Sequence, residues 1–304
     1  MKREVGIVRS LPFLLLALGM CLCPPAAAQT LGTDAGEERN LKIKTTGVIT
    51  APREIDGTGA KAITSSARAE AVYERDNVSV ALAYEAVNYF WENTGRLPYG
   101  DKASAPWEVL HHVGIDLGYH GGISGPWGYF AGVSGGLSFE REINDAQNLA
   151  AYGGLTYAFN DEWVASLGAG VSYTYVETTF FPAAGLTYAS KSVKGLNAEL
   201  RFPFASASYA FNEYLGVRLF GNYDYGLYKL RDDSPVSRGG FLENKGYKTG
   251  AYLDITPMKN AQFSIGCEYN FAGEQALYRS SGSLIDRYEL DGGIGGRAQI
   301  KLSF

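Results

Sequence analysis

Three histidines, His111, His112 and His120, are the side chains of this 304-residue sequence that titrate near neutrality without perturbation. His112, Asp116 and His120 repeat at a spacing of four, and Glu108 stands four before His112. On a strand that spacing separates neighbours by about 13 Å, whereas a metal draws its ligands to about 2 Å. These residues therefore read as a polar lining with no metal. His111 has the opposite parity, and a His beside a Ser can activate the hydroxyl for attack on an ester. Val109 and Val113 flank it, and no Ser of its own segment can reach it. A Ser from a neighbouring strand is left open, against the simpler reading of an interfacial histidine beside Trp107.

Other chemistry is less well supplied. The acids Glu92, Asp101, Asp232, Asp233 and Glu243 fall in prospective loops without a histidine, which argues against a protease dyad. The glycine runs Gly132 to Gly136 and Gly292 to Gly296 lie inside alternating segments with no helix after them, so they read as strand glycines and not as phosphate loops. The segment from Leu230 to Asn244 reads as a solvated loop with some capacity to bind a ligand.

The elements that must position these residues are strands. Trp107, Val109, His111, Val113, Ile115, Leu117 and Tyr119 alternate with Glu108, Leu110, His112, Gly114, Asp116, Gly118 and His120. The same period of two runs from Val78 to Ala86, from Trp163 to Tyr175 and from Leu215 to Leu227. Such segments exceed the five or six residues of an ordinary strand. One face is apolar, with aromatics near strand ends (Trp91, Trp107, Trp127, Trp163, Tyr225), as in the girdles of a bilayer barrel. The other is small and polar. The expected fold is all-β, an antiparallel up-and-down transmembrane β-barrel of about 12 to 14 strands.

The amino terminus agrees with that destination. Met1 to Arg9 is short and basic, Leu11 to Leu22 is apolar, and Ala26, Ala27 and Ala28 precede Gln29 in the pattern of a cleaved secretory signal. The apolar run is about half of what a spanning helix needs. Met20 and Leu22 are too bulky to precede a lipidated Cys21 or Cys23. We expect a signal over 1–28, a periplasmic lead-in over 29–40 and the barrel over 41–304. Removing the signal leaves Cys267 alone, so no intramolecular disulfide is expected. It also leaves 24 basic against 31 acidic residues, which makes nucleic acid a poor partner.

Counting back from Phe304 places long connections on one side and short turns on the other. The exceptions are a tight turn at Pro203 and a glycine-rich link from Gly121 to Pro126. A first strand near Leu41 to Thr50 makes the number fourteen; if it fails, or the short pair Leu196 to Phe202 and Ala205 to Phe211 fails, twelve strands result. Ala51 to Ser65 is expected to be an outside loop or partial plug.

The last segment alternates Tyr288, Leu290, Ile294, Ala298, Ile300, Leu302 and Phe304 with charged and polar residues. It resembles the carboxyl-terminal signal of bacterial outer-membrane proteins, which implies barrel-assembly machinery as a partner through the strand ending at Phe304. The stretch from Pro182 to Leu219, with AGLTY, LNAELRFPFASASYAFN and EYLGVRL, is similar to a family of outer-membrane barrels of uncharacterised function. These resemblances imply a bacterial outer-membrane location among lipids, and transfer no site.

With the apolar face toward lipid, the lumen is expected to carry Glu70, Glu74, Glu85, Glu108, Asp116, Glu199, Asp224, Asp254, Glu268, Glu289 and Asp291. The bases there are Arg68, Arg201, Arg218, Lys248, Arg287, Arg297 and Lys301, with His112 among them. This acidic excess predicts cation preference if the lumen is open. The expected function is a passive, porin-like channel for small hydrophilic solutes, without cofactor or covalent step. The alternatives are a non-conducting structural or adhesive barrel using its outer loops, and the lipid-modifying enzyme built on His111.

Overall fold

A computed structural model describes residues 40–192 and 194–304. The expected signal over 1–28, and the lead-in as far as residue 39, lie outside the described residues. Fifteen strand segments form one sheet that closes on itself. They are β1 (Leu41–Glu54), β2 (Lys61–Arg75), β3 (Val78–Glu92), β4 (Val109–Ser124), β5 (Trp127–Phe139), β6 (Gln147–Ala158), β7 (Trp163–Thr174), β8 (Thr178–Ala189), β9 (Gly195–Arg201), β10 (Phe204–Ala210), β11 (Leu215–Lys229), β12 (Phe241–Met258), β13 (Ala261–Tyr278), β14 (Leu284–Leu290) and β15 (Gly293–Ser303).

From β1 to β13 each strand pairs with its successor, β13 pairs also with β15, and β15 returns to β1. Since β14 and β15 stack end to end along β13, they are one strand broken at Asp291 and Gly292. The barrel therefore has fourteen strands, all antiparallel around its wall. The first strand forms, and so does the short pair around Pro203. The alternation of residue types explains the closure: Leu82, Val133, Leu167, Leu219 and Ile265 are each more than half exposed on the outer face, where acyl chains cover them.

Three connections differ from expectation, the first being Leu230 to Asn244, where Phe241 to Asn244 belong to β12 and Leu230, Phe241 and Leu242 are at most 1% exposed instead of solvated. The glycine-rich link before Trp127 is strand, since Gly121 and Gly122 pair with Tyr129 and Gly128, and only Gly125 and Pro126 turn the chain. Gly125 sits at φ 54, a conformation suited to glycine. Ala51 to Ser65 is mostly strand, and only 55–60 link β1 to β2.

A line of bulges crosses the outer part of the wall. It passes through β1 between Thr50 and Arg53, through the break at Asp291 and Gly292, and through β13 at Ala272, which has φ 48. A bulge adds one residue and reverses which side chains face inward. Beyond this line Tyr288 is 9% exposed inside the barrel, and Leu290 packs there with it. Those two were expected to face lipid. Arg287, Glu289 and Asp291 are exposed and are not on the inner wall, contrary to the alternation read straight through Gly292.

Candidate functional site

The inner wall is divided by chemistry. From β5 to β8 it is built of small residues, among them Gly132, Ser134, Gly154, Gly168 and Gly170, with few rings to cover them. A side chain at Gly132 would collide with the ring of Tyr152, and one at Gly170 with that of Phe181. The aromatic groups thus lie flat over neighbouring glycines. Charge gathers on the remaining strands.

There the ionic groups are paired. Arg68 reaches Glu70 at 3.1 Å and Glu85 at 3.4 Å, and Lys44 holds Glu70 at 3.5 Å. Lys248 binds Asp224 at 2.7 Å, Arg218 binds Asp254 at 3.0 Å, and Arg297 lies 3.6 Å from Glu268. Arg201 pairs with Glu199, and Lys42 with Glu74. Two rings join this network, with Phe220 and Tyr252 stacked at 4.8 Å and Arg218 over Tyr252 at 5.0 Å. Pairing explains how so many charges tolerate a protein wall.

Space remains beside them. The Asp224 side chain is 54% accessible and that of Arg68 38%, although both point into the closed ring of strands. The Glu268 side chain, by contrast, is 1% accessible and tucked into the wall.

Of the expected lining residues, Glu108 precedes β4 and is exposed. Setting aside Glu108, Glu289, Asp291 and Arg287, and adding Lys42 and Lys44, brings inward acids and bases into balance. The anticipated acidic excess is therefore not present. Lys42 and Lys44 went unread because their strand was identified only by the need for an even number. Their alternation with Ile43 and Thr45 is the signal that marks them.

The histidines do not assemble. His112 bonds through Nδ1 to Ser138 Oγ at 2.8 Å, and Asp116 accepts from Tyr152 at 3.3 Å. Among the described residues no group of three or more His, Cys, Asp or Glu could hold a metal. His111 faces outward, where its Nδ1 meets Tyr84 Oη at 3.0 Å and its ring lies 5.5 Å from Phe139. Its polar neighbour is a phenol and not a serine.

The outer mouth holds an unforeseen feature, an apolar core inside the barrel. Ile55, Leu97, Trp107, Leu110, Leu230, Leu242 and Leu277 are at most 2% exposed there, with Tyr99 and Tyr288 beside them. Trp107 is 0% exposed, and Trp91 donates its indole N–H to the Trp107 carbonyl at 2.8 Å. Both tryptophans were expected in the lipid girdle. Trp91 lies on the inward parity of β3, while Trp107 belongs to the connection 93–108, which folds back into the barrel. Trp127 and Trp163 do face outward, 48% and 38% exposed. Tyr99 stacks on Trp107 at 5.8 Å and donates to Gln275 Oε1 at 3.3 Å, tying the connection to β13.

The wall itself narrows here. The end of β5 meets the end of β11 in a parallel contact, Phe139 beside Lys229, although β6 to β10 lie between them around the wall. Glu140 N–H donates to the Lys229 carbonyl at 2.8 Å, and Arg231 N–H donates to the Glu140 carboxylate at 3.1 Å. Arg141 adds a bond to Asp233 at 3.0 Å.

A family model described as TonB dependent receptor-like, beta-barrel matches residues 42–284, from β1 to the start of β14. The chain belongs to that family. It is an outer-membrane β-barrel, and its apolar band lies against membrane lipid. Among solved structures it is similar to the NanC porin, at 7% identity over 86% of this chain and 100% of that one, with a TM-score of 0.42. An outer membrane channel from Pseudomonas putida F1 matches at 8% identity over 88% and 97% of the two chains, also at 0.42. The KdgM porin in complex with disordered oligogalacturonate matches at 10% over 86% and 99%, with a TM-score of 0.37. The curated proteins include no match to the sequence.

Proposed function

We propose that this barrel is a passive channel for small hydrophilic solutes, with an outer end held shut at rest by the connection 93–108. The reading is carried by charged side chains that turn inward and still reach open space, Asp224 and Arg68 above all. Groups facing a dry interior would be covered as Glu268 is. Solutes would cross by diffusion between a charged wall and a wall of small residues, with no covalent step. Insertion through barrel-assembly machinery, engaging the strand that ends at Phe304, belongs to the same reading.

The apolar core in the mouth favours a second reading, a barrel that does not conduct. Planar-bilayer recordings separate the two. Wild type is expected to open rarely, and a variant lacking 95–105 to conduct steadily. If the shortened barrel folds, as heat-dependent gel migration shows, yet passes no current, the channel reading fails and the non-conducting one stands.

A further inference from the structure

The inward faces of β1, β15 and β13 carry three hydrogen-bond donors side by side near the carboxyl-terminal end of the barrel. Lys301 stands directly opposite Lys44 on one neighbour and opposite Gln262 on the other. Like charges in register across a strand pair are unfavourable, and a wall usually relieves them with an acid apiece. That is done for β1: Lys44 has Glu70, and Lys42 has Glu74. It is not done for Lys301, which has no carboxylate oxygen within 4 Å among the described residues. The acid whose charge reaches it, Glu74, is committed to Lys42. Lys301 is nevertheless only partly buried, on the inward parity of β15. One positive charge is thus without a partner at this level of the wall, and Asp116, the acid of the set in no ion pair, bonds instead to Tyr152 on β6.

We infer that Lys301, flanked by Lys44 and Gln262, is a binding site for an anionic group of a solute, a carboxylate or a phosphate, at the inner end of the channel. An anion there would accept from the ammonium, supply the missing counter-charge and remove the repulsion between Lys301 and Lys44. The inference rests on the channel reading for its role in transport, but the site itself can be tested without current.

Two measurements decide it. In the variant lacking 95–105, reversal potentials in a potassium chloride gradient are expected to show anion preference. Adding Lys301→Gln should reduce the anion-to-cation permeability ratio about threefold or more, while Lys301→Arg retains it. A ratio unchanged by Lys301→Gln overturns the site and leaves the channel standing. Independently, the detergent-folded full barrel should melt at a higher temperature in sodium phosphate than in sodium chloride of equal ionic strength. Phosphate salts out any folded protein to some extent, so the increment should shrink, not disappear, in Lys301→Gln, and in Lys301→Met should the first variant fold poorly. An equal increment in wild type and variant overturns the site even if no variant conducts. A smaller increment in the variant alongside absent current keeps the anion site and removes the channel.

Discussion

Trp107 shows what a single residue decides in this barrel. Its indole is wholly buried between Tyr99 and Trp91, with ring centroids at 5.8 and 5.1 Å, and through Tyr99 it joins the connection 93–108 to β13. Trp107→Ala removes the largest side chain of the core, at an expected cost of about 3–5 kcal/mol to the outer end. The folded gel form should convert at a lower temperature, and current through the variant should rise above wild type. Conductance no different from wild type, in protein that has lost this stability, would separate the core from any role in closure. Parity cannot place this residue. Trp107 continues the alternation of β4 as if the strand began two residues earlier, and only the return of the chain into the barrel turns it inward. The apolar Leu97, Tyr99 and Trp107 in a connection otherwise made of Gly, Pro, Ala and polar residues were the available sign.

Among the elements, the strands were legible because a bilayer imposes its period on nearly every residue between Leu41 and Ser303. Their number followed from closure. The bulges were not legible: one added residue leaves the composition of a strand unchanged while exchanging its faces. The last strand demonstrates the consequence. Its alternation looks unbroken from Tyr288 to Phe304, yet Asp291 and Gly292 reverse it, so that Tyr288 enters the mouth core at 4.9 Å from Tyr99. Deleting Gly292 should restore simple alternation and turn Tyr288 and Leu290 outward, above the band of lipid contact. The core then loses two members, and tryptophan emission should shift to longer wavelength as Trp107 meets water. Unshifted emission from the folded deletion variant would mean that the break does not govern the face of β14. The same reversal explains why Arg287 and Glu289 drop out of the expected lumen set, whereas Arg68, Asp224, Arg218 and Lys248, on strands away from the break, stand where alternation puts them.

At the scale of the whole molecule, the outer end is a seam that draws distant strands together, and its chemistry predicts that the proposed closure depends on pH. Glu140 sits where β5 meets β11, with Arg231, Arg141 and Glu142 around it. Burial holds its carboxyl above the usual glutamate range, and the Arg231 amide and guanidinium only partly counter this. Glu177, at the tip of the β7–β8 connection, is also raised, first by burial and then by Glu243, with Lys245 and Arg287 opposing. Tyr175 beside it stacks on Phe241 at 5.0 Å, so this tip too is docked on strands far along the wall. An acid with a raised pKa in the folded state binds its proton more tightly there than when released. Its contribution to closure is therefore greatest below the ordinary glutamate value of 4.5 and declines as pH rises through the folded-state pKa. Acidification from neutrality toward that value should make the closed form more populated, with fewer openings in bilayer recordings and slower proteolysis of the connection 93–108. Glu140→Gln with Glu177→Gln fixes both groups neutral, so openings at pH 7 should fall to the number seen for wild type in acid, with little further change on acidification. If the double variant keeps the wild-type pH dependence, these two acids do not set it. If acid opens the wild-type barrel, the sign assigned to the seam is wrong.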